Sequence, residues 1–93
     1  MEIRVLRYFL TIAREGSITS AAEQLHITQP TLSRQIKDLE DELGQKLFHR
    51  SSHSMKLTQE GFIFRKRAEE IVAMVDKTSA EFLSMDKPIA GDI

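Results

Sequence analysis

Phe64, Ala68, Ile71, Val75, Thr78, Phe82 and Met85 recur at steps of four, three, four, three, four and three residues. That 3.5-residue period marks a helix whose apolar seam lies against another helix along its length. The spacing predicts one helix over roughly residues 59–86, about 40 Å long at about 1.5 Å per residue. A chain of 93 residues has little left to cover such a seam, and a bare one would be an exposed apolar patch. The pattern therefore asks for a partner helix. Packing of Phe64, Ile71, Val75 and Phe82 onto the same domain is the competing arrangement, and the length of the helix weighs against it. Pro88 ends the helix, because proline cannot continue the hydrogen-bond ladder.

Ahead of the long helix the chain reads as three shorter helices and a hairpin. Ile3, Leu6, Leu10 and Ala13 share one helical face over residues 2–14, with Phe9 widening it. Gly16 stops that helix. Ser17 is an N-cap candidate for a short second helix, with Ile18, Ala21, Ala22 and Leu25 on one side. The paired alanines let another helix approach closely. His26-Ile27-Thr28 interrupts the pattern. Thr28 offers the next cap, and Pro30 lies in the first turn, where its missing N–H costs little. Leu32, Ile36, Leu39 and Leu43 then form a buried stripe, closed by Gly44. Residues 46–50 and 55–58 read as two short strands around a polar tip, since Met55 and Leu57 alternate with Ser54 and Lys56. Thr58 caps the long helix.

The chain holds 13 Lys plus Arg against 14 Asp plus Glu, a formal net charge of −1. As a total this counts against a nucleic-acid partner; the distribution does not. Residues 1–67 carry 11 basic and 8 acidic side chains (+3), and residues 68–93 carry 2 basic and 6 acidic ones (−4). Residues 26–37 and 43–58 contain no acid, whereas 38–42 read Asp-Leu-Glu-Asp-Glu. Local patches of this kind can serve a polyanion.

Several function classes fall away. With no cysteine, disulfide frameworks, thiolate zinc sites and cysteine nucleophiles are excluded. No apolar run approaches the roughly 20 residues of a membrane span. The start Met1-Glu2-Ile3-Arg4 is not that of a signal peptide, so the expected location is the cytoplasm. His49 and His53 are four apart but fall on a hairpin without a third ligand, so neither metal nor cofactor is expected. Glu40, Asp41 and Glu42 end a helix with no companion nucleophile. They read as a solvated face that repels phosphates, and no enzyme is expected.

The second helix, the three-residue break and the third helix form a helix-turn-helix candidate, and a basic hairpin beside it resembles a wing. The stripe at Leu32, Ile36 and Leu39 turns Gln29, Pro30, Ser33, Arg34 and Lys37 outward. Gln pairs well with adenine and Arg with guanine in the major groove. Pro30 offers an apolar surface to a thymine methyl, while Ser33 and the helix N-terminus suit phosphates.

Beyond these readings, an ordered set of residues resembles the N-terminal DNA-binding domain of LysR-type transcriptional regulators. It comprises Leu6, Phe9, Gly16-Ser17, Ala21-Ala22, Leu25, Gln29-Pro30, Leu32-Ser33, Ile36, Leu39-Glu40, Leu43-Gly44, Leu47-Phe48, Arg50, Leu57-Thr58 and Gly61. The similarity runs from residue 3 to about residue 65 without a gap. It implies a mainly α fold in three parts. Residues 1–58 form a winged helix-turn-helix, and residues 59–87 a linker helix that dimerises. Residues 88–93 are the hinge toward an effector-binding domain absent from this chain.

The resemblance also implies roles. Base contacts would come from Gln29, Pro30, Thr31 and Arg34, and backbone contacts from Ser17, Thr28, Ser33 and Lys37. Arg50, His53 and Lys56 would form the wing, at the minor groove or its phosphates. The dimer seam would be Phe64, Ala68, Ile71, Val75, Thr78 and Phe82. The implied partners are double-stranded DNA bearing an interrupted palindrome in a bacterial promoter, and a second copy of the chain. A tetramer is the full-length alternative. A small-molecule effector would act only through the missing domain, and no membrane is involved. Three positions depart from the family pattern. His53 stands where a second wing arginine is frequent, and Ser20 where a basic residue is common. The turn has no glycine, so His26 occupies its tight position. The first two point to weaker electrostatic anchoring on DNA.

Overall fold

Gly16, His26 and Gly44 all adopt left-handed backbone, with φ of 71°, 58° and 71°, and each ends a helix. The computed structural model describes residues 1–52 and 54–85. Helix α1 spans Ile3–Glu15, α2 Ile18–Leu25 and α3 Gln29–Leu43. Strands β1 (Phe48–Arg50) and β2 (Met55–Leu57) follow, and then α4 (Gln59–Met85). His26 fills a position that favours glycine. Its N–H bonds back to the carbonyls of Ala22 and Glu23, and histidine tolerates this region better than most side chains. The expected hinge at residues 88–93 and the wing residue His53 lie outside the described residues.

The helix starts follow the capping residues in the sequence. Ser17 Oγ accepts from Ser20 N at 3.2 Å, and Thr28 Oγ1 accepts from Thr31 N at 3.3 Å. Each satisfies a backbone donor that the first turn leaves free. Thr58 does two jobs. Its Oγ1 accepts from Gly61 N at 2.9 Å and donates to the Lys46 carbonyl at 2.7 Å, which ties the start of α4 to the base of the hairpin. The two strands pair antiparallel, Phe48 opposite Leu57, His49 opposite Lys56 and Arg50 opposite Met55. Met55 N also donates to the Gly16 carbonyl at 3.0 Å, so the wing is fastened to the α1–α2 turn as well.

The core forms around α1. Phe9 is completely buried. Its ring meets Phe48 of β1 at 5.2 Å between centroids and Phe64 of α4 edge-on at 5.0 Å. Leu6, Ile12, Ala21, Ala22, Leu32, Ile36, Leu39 and Leu47 close around them. The face of α1 differs from the expected one. Val5, Leu6, Phe9 and Ile12 are buried, whereas Ile3, Leu10 and Ala13 are only half-covered at its margins. Apolar residues cover most of this helix, so its own periodicity does not settle which face turns inward; α2, α3 and α4 do.

The seam of α4 is also corrected. Phe64 and Ile71 pack against the domain's own core, and Ala68 is fully buried in it. Val75 is half-buried and Thr78 exposed. Phe82 remains 62% exposed, together with Leu83 and Met85. The first half of the expected dimer seam is thus spent inside one chain, because α1 lies alongside it, and only the end beyond α1 stays bare. The packed core consequently runs past residue 58 into α4. A second bare apolar row, Ile63, Met74 and Met85, repeats every 11 residues, about three helical turns. Arg7 Nη2 donates to Asp76 Oδ1 at 2.8 Å and holds the middle of α4 to α1. This hydrogen bond lowers the Asp76 carboxyl below its ordinary pKa and raises that of the Arg7 guanidinium. Both side chains are well exposed, so the pair orients α4 more than it stabilises the fold.

Candidate nucleic-acid interface

The N-terminal half of α3 presents an open, acid-free polar surface. Thr28 caps it, Pro30 stiffens its first turn, and Leu32 and Ile36 anchor it in the core. Gln29, Pro30, Arg34 and Lys37 are exposed, and Thr31 and Ser33 are half-buried. Ile18 of α2 joins Gln29, Pro30 and Ser33 in lining a shallow open cleft at the start of the helix. Among the described residues Arg34 makes no hydrogen bond or ion pair. Lys37 Nζ lies 3.6 Å from Asp41 Oδ2, one turn further on. Thr28 Oγ1 donates to Thr31 Oγ1 at 2.8 Å, so those two hydroxyls order each other. Ser17, at the N-cap of α2, is half-buried.

The wing divides by strand alternation. His49 and Lys56 face each other across the ladder, and both are exposed. Arg50 lies on the other face, with Phe48 and Met55, and turns toward α3. There its Nη1 donates to Ser33 Oγ at 3.0 Å and its Nη2 to Glu40 Oε1 at 3.4 Å. Arg50, expected at the minor groove or its phosphates, also forms a strut between wing and helix, with 38% of its side chain open to solvent.

Glu40 is the residue that sequence reasoning misplaced. It was expected on a solvated acidic face, yet it is 2% exposed. Its Oε2 accepts from Leu47 N at 2.8 Å and Phe48 N at 3.3 Å, and its Oε1 accepts from Arg50. A buried carboxylate needs such donors, since an unpaired one is strongly disfavoured. The signal was available: Glu40 lies four residues after Ile36 and three before Leu43, on the buried side of the helix. Asp41 and Glu42 are exposed as expected, and Glu42 Oε2 pairs with the N-terminal amine at 3.0 Å. No helix among the described residues is long and apolar enough to cross a membrane.

Known proteins share this arrangement. The sequence pattern of the bacterial regulatory helix-turn-helix proteins of the lysR family matches residues 3–62. The transcriptional regulator BsdA of Bacillus subtilis is 51% identical over 94 residues, which cover all of this chain and 32% of BsdA. BenM of Acinetobacter baylyi is 47% identical over 90 residues, covering 97% of this chain and 28% of BenM. The chain thus spans about a third of the length of these curated relatives. Among solved structures, the BenM DBD in complex with catB site 1 DNA superposes with a TM-score of 0.88 at 43% identity, covering 92% of each chain. The CbnR DBD–DNA complex also gives 0.88, at 33% identity, over 94% of this chain and 100% of that one. By fold, by its capped and anchored α3, and by sequence along two thirds of its length, the chain belongs to the lysR family of bacterial regulatory helix-turn-helix proteins.

Proposed function

We propose that this chain is the part of a bacterial transcription regulator that recognises a specific DNA sequence, acting in the cytoplasm and without chemistry of its own. The observation that carries the reading is the rigid, acid-free surface at the start of α3, with Arg34 unpaired among the described residues. The CbnR and BenM domains that share the fold are described in complex with DNA, which supports it. In this reading α3 enters the major groove. Gln29, Pro30, Thr31 and Arg34 meet base edges, while Ser17, Thr28, Ser33 and Lys37 meet the backbone. Lys56, exposed on β2, faces the phosphates.

The bare end of α4 supports pairing with a second copy through Val75, Thr78 and Phe82, joined by the exposed Met74, Leu83 and Met85. A twofold pair would set two α3 helices on major grooves about 34 Å apart, or a multiple of that. In a protein of its relatives' length, a small-molecule effector would act through a separate domain, and a tetramer is open to the whole protein.

Arg34→Ala tests the reading. It is expected to cost about 1–3 kcal/mol on a preferred duplex and to relax one base position. Its effect on random duplex should be much smaller. Lys37→Ala should instead weaken all duplexes alike and lower the salt dependence by about one phosphate contact. Equal losses for Arg34→Ala on preferred and random DNA, measured by fluorescence anisotropy, would refute the role given to Arg34.

A further inference from the structure

The contacts of Glu40 form a chain that crosses the domain. One carboxylate oxygen takes the N–H groups of Leu47 and Phe48 at the entrance to the hairpin. The other takes Arg50 at the end of β1. The same guanidinium reaches Ser33, seven residues before Glu40 on α3. Leu47, Phe48 and Arg50 are thereby set in register against the helix by a single buried side chain. Within this closed loop, moving the wing relative to α3 would break at least one of four hydrogen bonds. A guanidinium has five donors. Two are used here, and the partly exposed Arg50 keeps the rest for a partner.

We infer that Glu40 is a positioning residue for DNA binding: it fixes Arg50 and the wing relative to α3, so that the free donors of Arg50 meet a DNA phosphate without rearrangement. This rests on the DNA-binding reading above. Preorganised donors lose less freedom on binding than mobile ones, and a planar fork held at two points has one orientation to offer. The charge of Glu40 is offset by its pairing with Arg50 and two backbone N–H donors.

The test is a double-mutant cycle on the 93-residue chain, using a duplex selected by the wild-type chain from random sequence. Glu40→Gln keeps an oxygen for the backbone N–H groups but removes the charge that holds Arg50. Expected is an affinity loss of about tenfold, with the slope of log affinity against log salt falling by about 1 per protomer, the value of one phosphate contact. In the Arg50→Ala background, Glu40→Gln should cause no further loss. Full additivity, or an unchanged salt slope in Glu40→Gln, overturns the inference, because a merely structural role would weaken binding without removing a counterion. Should Glu40→Gln not fold by circular dichroism, Arg50→Lys carries the test. It keeps the charge at a half-exposed site and loses the fork, so it should bind as weakly as Arg50→Ala; wild-type affinity in Arg50→Lys overturns the inference. A wild-type chain that selects no duplex defeats the DNA-binding reading itself, and this inference with it. Wild-type selection with unaffected variants defeats only the inference.

Discussion

Gly61→Ala will destabilise the domain by about 3 kcal/mol or more, although the same change in an exposed helix interior would ordinarily stabilise it by about 1 kcal/mol. The reversal comes from where Gly61 sits. It lies in the first turn of α4, and a methyl group built on it would fall on the Leu47 carbonyl oxygen and within 2.9 Å of Leu57 Cδ2. That carbonyl cannot retreat cheaply, because it accepts from Thr58 N at 3.0 Å. Its neighbours are fixed too: Leu47 is buried and its N–H is held by Glu40. The close approach of α4 to the hairpin base therefore requires a residue without a side chain. Thermal unfolding of the two chains decides it. A fall of roughly 10 °C or more is expected for a domain of this size, and an unchanged or higher midpoint would contradict the packing described.

Phe9→Ala carries the other large effect. Removing a fully buried phenylalanine typically costs about 3–5 kcal/mol, against a total stability of about 5–15 kcal/mol for a small domain. Here the ring is shared by three parts of the fold, since α1 carries it, β1 supplies Phe48 and α4 supplies Phe64. The cavity therefore cannot be closed by the shift of one element. The midpoint of urea unfolding should fall by at least about a fifth, and the chain should be unfolded without denaturant if its total stability is near about 5 kcal/mol. Phe9→Leu should retain most of the stability. A loss below about 1 kcal/mol for Phe9→Ala would mean that the three elements do not share this ring.

Much of this was legible in the residues. Ser17, Thr28, Gly16 and Gly44 set the helix boundaries through local hydrogen bonds and backbone freedom, which depend little on the rest of the molecule. The stripe on α3 was equally plain at Leu32, Ile36 and Leu39, which are buried, whereas Leu43 at its end is only half-buried. What could not be read locally is tertiary. The heptad on α4 specifies a helical partner but not whose, and the core of the same chain takes Phe64, against Phe9 of α1, together with Ala68 and Ile71. The face of α1 was ambiguous for the same reason. Glu40 is acidic yet lies on the buried side of the stripe, and the two N–H groups that compensate it come from residues beyond the helix, where no local pattern announces them. Gly61 belonged to the family pattern, but its reason, the Leu47 carbonyl, becomes visible only once hairpin and helix are packed. The exposed surface of α3 followed from the stripe, whereas the tie between Arg50 and α3 depended on the strand register.

If the surface at the start of α3 reads DNA sequence, as proposed, the chain must prefer some duplexes over others. Selection of duplexes from a random pool by the 93-residue chain, followed by sequencing, tests it most directly. Expected are enrichment of an interrupted palindrome whose half-sites lie one helical turn or a multiple apart, and loss of preference at one position of each half-site with Arg34→Ala. A folded wild-type chain that enriches no sequence, or enriches one that Arg34→Ala selects equally well, would contradict it.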